Sequence, residues 1–336
     1  MSTLVVDTVT KRYGAHLAVD GVSFAVEPGR IFGVLGPNGA GKTSTIRMIT
    51  YITSPDEGRI TFGGEAVGPQ SQQRMGYLPE ERGLYRKMKV GEQLVYLGQL
   101  KGLSKADARA AARRWLDRFE ARSWAGKKVE ELSKGMQQKV QFIATILHGP
   151  QLLIFDEPFS GLDPINAALL QDIILELREA GRTILFASHR MEQVEQLCDD
   201  LFLIAGGREV LHGSLRDVKR SFGKNTVTVE FSGDDAFLDR LEAREAIRVR
   251  SRTAGHAEFR LLGETTARQV LETVLPRVDD LYRFELNEPP LSEIFVMAVN
   301  GDRGTDEPED RGMDHGDSGA EAGTPLPQSS DLPLSR

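Results

Sequence analysis

The octapeptide GPNGAGKT, Gly36 to Thr43, decides how the rest of this chain is read. It fits the spacing G-x-x-x-x-G-K-[ST]. Its glycines let the backbone wrap closely, so successive N–H groups point at phosphate oxygens, and a helix starting at its end adds a positive pole. Gly36, Pro37, Asn38, Gly39, Ala40 and Gly41 would form the cradle, and Ser44 carries it into the helix. Lys42 would reach the β- and γ-phosphates of a nucleotide, and the Thr43 hydroxyl would bind Mg²⁺. The flanks agree with this chemistry. RIFGVLG is a compact apolar run suited to a buried strand ending at Gly36, and KTSTIRMITYI follows as a helix.

A second element supports the first. LLIFDEP ends a buried-strand run on Asp156 and Glu157. An aspartate at the carboxyl end of a strand can hold Mg²⁺. Glu157, one residue on, is placed to polarise an attacking water as general base. Acids often close strands, so the pair gains meaning only from following a phosphate loop.

Working outward, TLVVDTVTKRY and LAVDGVSFAVEPG read as short antiparallel strands. Residues 86–149 read as a helical segment. Within it Val140, Ile143, Ala144 and Leu147 fall at i, i+3, i+4 and i+7, with Ser133 where an N-cap would stand. Strand and helix then alternate through LLIF, ALLQDIILELREAG and TILFA, which argues for a mainly parallel sheet covered on both faces. From residue 222 the order becomes strand, helix, strand, strand, helix, strand, a ferredoxin-like split unit closed by the short helix LSEIFVMAV. The expected fold is therefore α/β, a P-loop NTPase with an N-terminal antiparallel β subdomain, a helical subdomain and a small C-terminal α+β domain. The expected domains are 1–221 and 222–300, followed by a disordered acidic tail over 301–336.

The bulk numbers exclude several classes. At 336 residues, 40% of them hydrophobic, the chain can hold two domains with a sizeable core. The net charge of −7 gives no electrostatic footprint for nucleic acid. The 301–336 stretch carries nine Asp and Glu against three Arg, so most of that charge is local. Cys198 is the single cysteine, which rules out an internal disulfide or a cysteine metal cluster and reads as a packing residue. The N-terminus does not read as a signal peptide, and no apolar window is long enough to span a bilayer. Work at a membrane would need another chain to do the crossing.

Further motifs narrow the class. Leu132-Ser133-Lys134-Gly135-Met136-Gln137-Gln138 resembles the LSGGQ signature of ABC ATPases, SGLDP at 160–164 looks like their D-loop, and SHRMEQ supplies His189 at the position of their switch histidine. Tyr13, in TKRYG, matches the aromatic that stacks on adenine. The motifs occur in family order over residues 1 to about 220. The resemblance implies an RecA-like core and a head-to-tail dimer, made with a second copy or a related subunit. In that dimer Ser133 and Gly135 dock on the γ-phosphate held by the other subunit's phosphate loop. It further implies hydrolysis by Glu157, assisted by His189 and by Asp163 across the interface, and a separate transmembrane permease driven by closure and reopening. The location implied is cytoplasmic, peripheral on the inner face of the membrane through the permease, with ATP and Mg²⁺ as ligands. Within the family the chain looks similar to ATP-binding subunits of NatA-type exporters. The runner-up is a soluble ABC-type ATPase of translation or chromosome maintenance. A single phosphate loop and the absence of a long coiled-coil insertion count against it. A regulator that binds nucleotide without hydrolysing it is opposed by the presence of Asp156, Glu157 and His189.

Two departures stand out. The signature reads S-K-G, and Lys134 can point to solvent or add positive charge near the partner's ATP. In GYLPEERGLY, residues 76–85, the paired acids could by themselves be a metal site, an acid–base pair or a solvated turn. The resemblance puts Glu80 where the family has a glutamine that contacts Mg²⁺ and the attacking water. Glu80 is therefore expected to act at the metal and in catalysis, and Glu81 to be a solvated bystander.

Overall fold

A computed structural model describes residues 3–81 and 83–299. Its central sheet has six strands in the order Arg208–Ser214, Asp200–Ala205, Ile31–Leu35, Thr183–Ser188, Leu152–Asp156, Met75–Leu78. Neighbours are parallel except the outer hairpin formed by the first two. Ile31–Leu35, Leu152–Asp156 and Thr183–Ser188 are buried at every residue. Both faces of these strands are covered, which is why they read as unbroken apolar runs. The register sets Leu35 beside Ser188 and Asp156 beside Ala187. Three strands thus end at one level, where the phosphate loop, Glu157 and His189 begin, as expected for a site at the carboxyl edge of a parallel sheet.

A four-stranded antiparallel sheet, in the order His16–Val26, Leu4–Tyr13, Glu57–Phe62, Glu65–Ala66, covers part of this core. Val22, Phe24 and Val26 face inward while Ser23 and Ala25 face out, the alternation of a half-buried strand. Tyr13 pairs with His16 at the hairpin's end.

The helical segment contains Val90–Leu100, Lys105–Arg118 and Lys134–Ile146. The last is buried over a wider arc than the periodicity suggests. Phe142 and Ile146 are buried along with Val140, Ile143 and Leu147, because the helix covers the sheet on one side and other helices on another. Phe142 stacks on Phe155 with ring centroids 4.9 Å apart. Burying such a ring contributes roughly 1.5–3 kcal/mol and fixes the helix to the strand that ends at Asp156.

The small sheet has the order Ile247–Thr253, His256–Leu261, Thr226–Ser232, Asp280–Asn287, all antiparallel. Helices Ala236–Ala243 and Ala267–Val274 join its strands, and Val227, Val229 and Phe259 build its core with Phe237, Leu241 and Val270. This is the ferredoxin-like order expected from the sequence. The closing helix behaves differently from expectation. Leu291–Val299 buries Leu291, Ile294 and Met297 in the core of the large domain. Its Glu293 reaches Arg250 and Arg260 of the small sheet, each at 3.3 Å. The helix is a bolt between the two sheets rather than a lid on one. A stripe at three-residue spacing identifies a helix with one apolar face, but not which surface receives that face. Cys198 is buried just past helix Met191–Leu197, as a packing residue. The tail expected over 301–336 lies outside the described residues.

Candidate nucleotide site

The phosphate loop owes its shape to two glycines. Gly36 has φ 157°, and a Cβ there would meet the Ile204 carbonyl oxygen at 2.1 Å. Gly41 has φ 110°, and a Cβ there would lie 2.5 Å from the Ala18 carbonyl oxygen. Only glycine fits such close backbone approach. Gly41 caps helix Lys42–Ile49, whose first N–H groups face the loop. Lys42 folds back over the loop, its Nζ donating to Gly36 O at 2.6 Å and Pro37 O at 3.0 Å. Burial lowers its pKa, while the carboxylates of Glu157, Asp156 and Glu80 pull it up. Phosphate oxygens would be stronger partners for this ammonium than its own loop carbonyls.

Thr43 Oγ1 lies 3.4 Å from Asp156 Oδ2. Burial, then the charges of Glu157 and Glu80, push the Asp156 pKa up to about 6. Behind it, burial and the Asp156 charge keep the Tyr77 phenol protonated. The carboxylates therefore crowd a site short of positive charge, where a divalent cation would relieve them. The donors are oxygens, as Mg²⁺ prefers. Among the described residues no three His, Cys, Asp or Glu side chains form a metal cage of their own. An ion there would be held jointly by Thr43, Asp156, Glu80 and a nucleotide's phosphates.

Glu157 sits at φ 51°, a left-handed conformation that costs a non-glycine residue about 1 kcal/mol or more. Its N–H donates to Ala187 O at 3.0 Å. The turn aims its carboxylate at the next strand's end, where Ser188 Oγ donates to Oε2 at 3.1 Å and the His189 N–H to Oε1 at 2.7 Å. His189 Nδ1 is also 2.7 Å from Oε1, a separation that places a proton between them. The carboxylate is almost buried and the imidazole half exposed.

A cavity of about 360 Å³ brings together Tyr13, Asn38, Gly39, Ala40, Gly41, Lys42, Thr43, Ser44, Glu80, Asp156 and Glu157. Gly36 and Pro37 meet it only through the carbonyls that hold Lys42. His189 meets it through Glu157. Ser133, Gly135 and Asp163 do not line it. Ser133 caps helix Lys134–Ile146, its Oγ accepting from Met136 N at 3.3 Å. A Cβ on Gly135 would find only ordinary contacts near Leu162 and Gly161, so packing within this chain does not demand that glycine. Asp163 caps helix Pro164–Glu179 by accepting from Asn166 N at 3.0 Å, and such bonds hold its carboxyl below the usual range. Glu80 and Glu81 are both exposed; only Glu80 lines the cavity.

Sequence reasoning passed over several residues here. His16 and Ala18 complete the wall beside Tyr13. Ser188, directly before His189, anchors Glu157. Adjacency to a motif was the available signal for Ser188. For His16 it was the tight spacing after Tyr13. Tyr77 behind Asp156 had none.

Comparison with known proteins fixes the lineage. A profile described as ABC transporter matches residues 19–160, and one described as the C-terminal domain of DrrA1-3-like ATP-binding proteins matches 213–299. YhaQ of Bacillus subtilis, described as an ABC transporter ATP-binding protein, is 46% identical over 296 residues, 88% of this chain and 98% of YhaQ. The chain belongs to the ABC transporter ATP-binding proteins. The linearmycin resistance ATP-binding protein LnrL of Bacillus subtilis is 32% identical over 87% of this chain and 97% of its own length. The ABC transporter ATP-binding protein NatA of the same organism is 38% identical over 61% of this chain and 85% of its own. A solved ATP-binding subunit of an ABC transporter matches with TM-score 0.63 and 32% identity, over 66% of this chain and 94% of that one. This ABC protein is accordingly an ATPase of the transporter class, with the α/β cassette and C-terminal α+β domain expected from its sequence. Among its described residues no helix is long and apolar enough to cross a membrane.

Proposed function

We propose that this ABC protein hydrolyses ATP as one half of a head-to-tail pair and drives a separate permease that exports a substrate from the cytoplasm. The observation that carries this reading is an incomplete site. The phosphate loop, Asp156, Glu157 and Glu80 share one cavity, while the capped helix end at Ser133 and Gly135 opens elsewhere. An exposed helix N-terminus whose glycine is not required by packing can serve as a phosphate-binding surface. A second copy would present that surface to the first copy's ATP.

In this reading Tyr13 stacks on the adenine and the loop amides and Lys42 hold the phosphates. Thr43, Asp156 and Glu80 would hold Mg²⁺, which supplies positive charge against the β- and γ-phosphate oxygens when bound. Glu157 accepts the proton of the attacking water. His189 fixes the Glu157 carboxylate, its half-exposed ring would meet the γ-phosphate, and Asp163 would meet the site from the partner. Hydrolysis then removes the adhesive between subunits and the pair reopens.

Export is supported by the kinds of relatives found. A Nod factor export ATP-binding protein of Burkholderia pseudomallei is 40% identical over 62% of this chain and 69% of its own. The permease would dock in the groove of about 350 Å³ beside Pro79, Gly83 and Leu84, between strand Met75–Leu78 and helix Val90–Leu100. That docking would hold the protein at the inner face of the membrane.

The test is Glu157→Gln, which keeps the site's shape and removes the base. Size-exclusion chromatography should show a dimer with ATP and a monomer or weak dimer without it. A protein that binds ATP yet stays unchanged in size would overturn the paired reading.

A further inference from the structure

Helix Lys134–Ile146 has its capped end outside the cavity but reaches the segments that carry the site through side chains further along. Two of its glutamines, Gln138 and Gln141, are 2% and 5% exposed. Gln138 Nε2 donates to Pro158 O at 3.0 Å, one residue after Glu157. Gln141 Nε2 donates to Glu81 O at 3.1 Å and Pro79 O at 3.2 Å, the carbonyls on either side of Glu80. Among the described residues no other side chain hydrogen-bonds the backbone of 79–81. One helix, fixed to the Asp156 strand by Phe142, therefore begins at Ser133 and Gly135 and grips the segments that carry Glu157 and Glu80.

We propose that Gln141 is a positioning residue that ties this helix to Glu80, so that closure of the Ser133–Gly135 end on a second subunit's nucleotide sets Glu80 in its own site. This rests on the paired reading above. The physical basis is geometric. A buried amide with two acceptors in place cannot let the helix move by an ångström without carrying the loop along or breaking both bonds. Breaking them would leave buried polar groups unpaired. The glutamines sit at i and i+3, on one face of a helix, so a single small rotation would act on both catalytic segments together. Gln141 touches no reacting atom; it acts through Glu80.

Gln141→Met in the full chain keeps the length and apolar stem of the side chain and deletes the donor. Steady-state turnover, affinity for a fluorescent non-hydrolysable ATP analogue and melting temperature are compared in four proteins: wild type, Gln141→Met, Glu80→Ala and the double variant. The expected outcome is a turnover loss of about tenfold, the scale set by losing one or two buried hydrogen bonds. Analogue affinity stays as in wild type, and the melting temperature falls by no more than a few degrees, the cost of the lost hydrogen bonds. In the Glu80→Ala background the Gln141 change adds no further loss, because the residue it positions is gone. A parallel cycle with Ser133→Ala should likewise fall short of additivity. Undiminished turnover in Gln141→Met would overturn the proposal. So would losses that multiply with those of Glu80→Ala, or a turnover loss matched by weaker analogue binding and a melting temperature lower by well over a few degrees. If Gln141→Met does not fold, Gln141→Leu carries the same comparison. A Glu157→Gln protein that binds ATP without pairing would instead remove the two-subunit reading, a separate and distinguishable failure.

Discussion

His189 Nδ1 stands 2.7 Å from Glu157 Oε1, and the backbone N–H of the same histidine reaches the same oxygen at the same distance. The contact joins the ends of neighbouring parallel strands across 32 residues of sequence. The left-handed turn at Glu157 makes it possible. A carboxylate held this way keeps one orientation, which a general base needs. His189→Ala is expected to lower turnover by about 10²–10⁴-fold with little change in nucleotide affinity. Ser188→Ala, which frees Oε2 of Glu157 and removes the acceptor of the Arg190 N–H, should cost about tenfold. Steady-state ATPase assays beside equilibrium binding separate the two effects. A histidine variant with intact turnover would rule out the role given to this pair.

Glu80 contributes a carboxylate where the family resemblance leads one to expect an amide. It can ligate Mg²⁺ through oxygen but lacks the amide's N–H donors. Its charge adds to those of Asp156 and Glu157 around Lys42. Turnover of the wild type should therefore fall more steeply than that of Glu80→Gln when Mg²⁺ is withheld. Titrating Mg²⁺ at fixed ATP gives the comparison, and superimposable curves would refute it.

Ile294 is fully buried on the helix that bolts the small domain to the large one. Ile294→Ala should destabilise the protein by about 2–5 kcal/mol, as for other buried large-to-small changes. Urea unfolding followed by tryptophan fluorescence would report it, since Trp115 and Trp124 pack against the same large core. A change well below 1 kcal/mol would mean that the helix is not docked there in solution.

His148 gives a pH dependence. Burial, then the charge of Lys101, draws its pKa down to about 4, against the raising effect of its bond to Met75 O at 3.2 Å. In the unfolded chain it titrates near 6.5. Between those values the unfolded state takes up a proton that the folded state refuses. Its contribution is therefore intact above about pH 6.5 and is lost as pH falls toward 4, by at most about 3 kcal/mol. His148→Gln should flatten that part of the stability profile. Urea midpoints at pH 7 and pH 4.5 for both proteins check the sign.

The legible part of this molecule was local. GPNGAGKT announces its chemistry because close backbone approach to phosphate demands glycine at fixed spacing, and the loop is one contiguous piece. The buried strands were visible as unbroken apolar runs, since a strand covered on both faces has no reason to alternate. The cap residue Ser133 was readable because a cap bonds within its own turn.

What only the tertiary structure decided concerns contacts between distant segments. The grip of Gln141 on the carbonyls around Glu80 spans about sixty residues, and the seating of Leu291–Val299 on the large core joins separate domains. Neither follows from periodicity. A helix's pattern records that one face is apolar and where it can be capped, while strand register and packing choose the surface that face meets. The sequence by itself determined the nucleotide chemistry and the order of the elements. The sheet's register brought Glu157 to His189, and helix packing brought Gln141 to the Glu80 loop, because burying large side chains at close-packed density leaves few ways for those elements to fit.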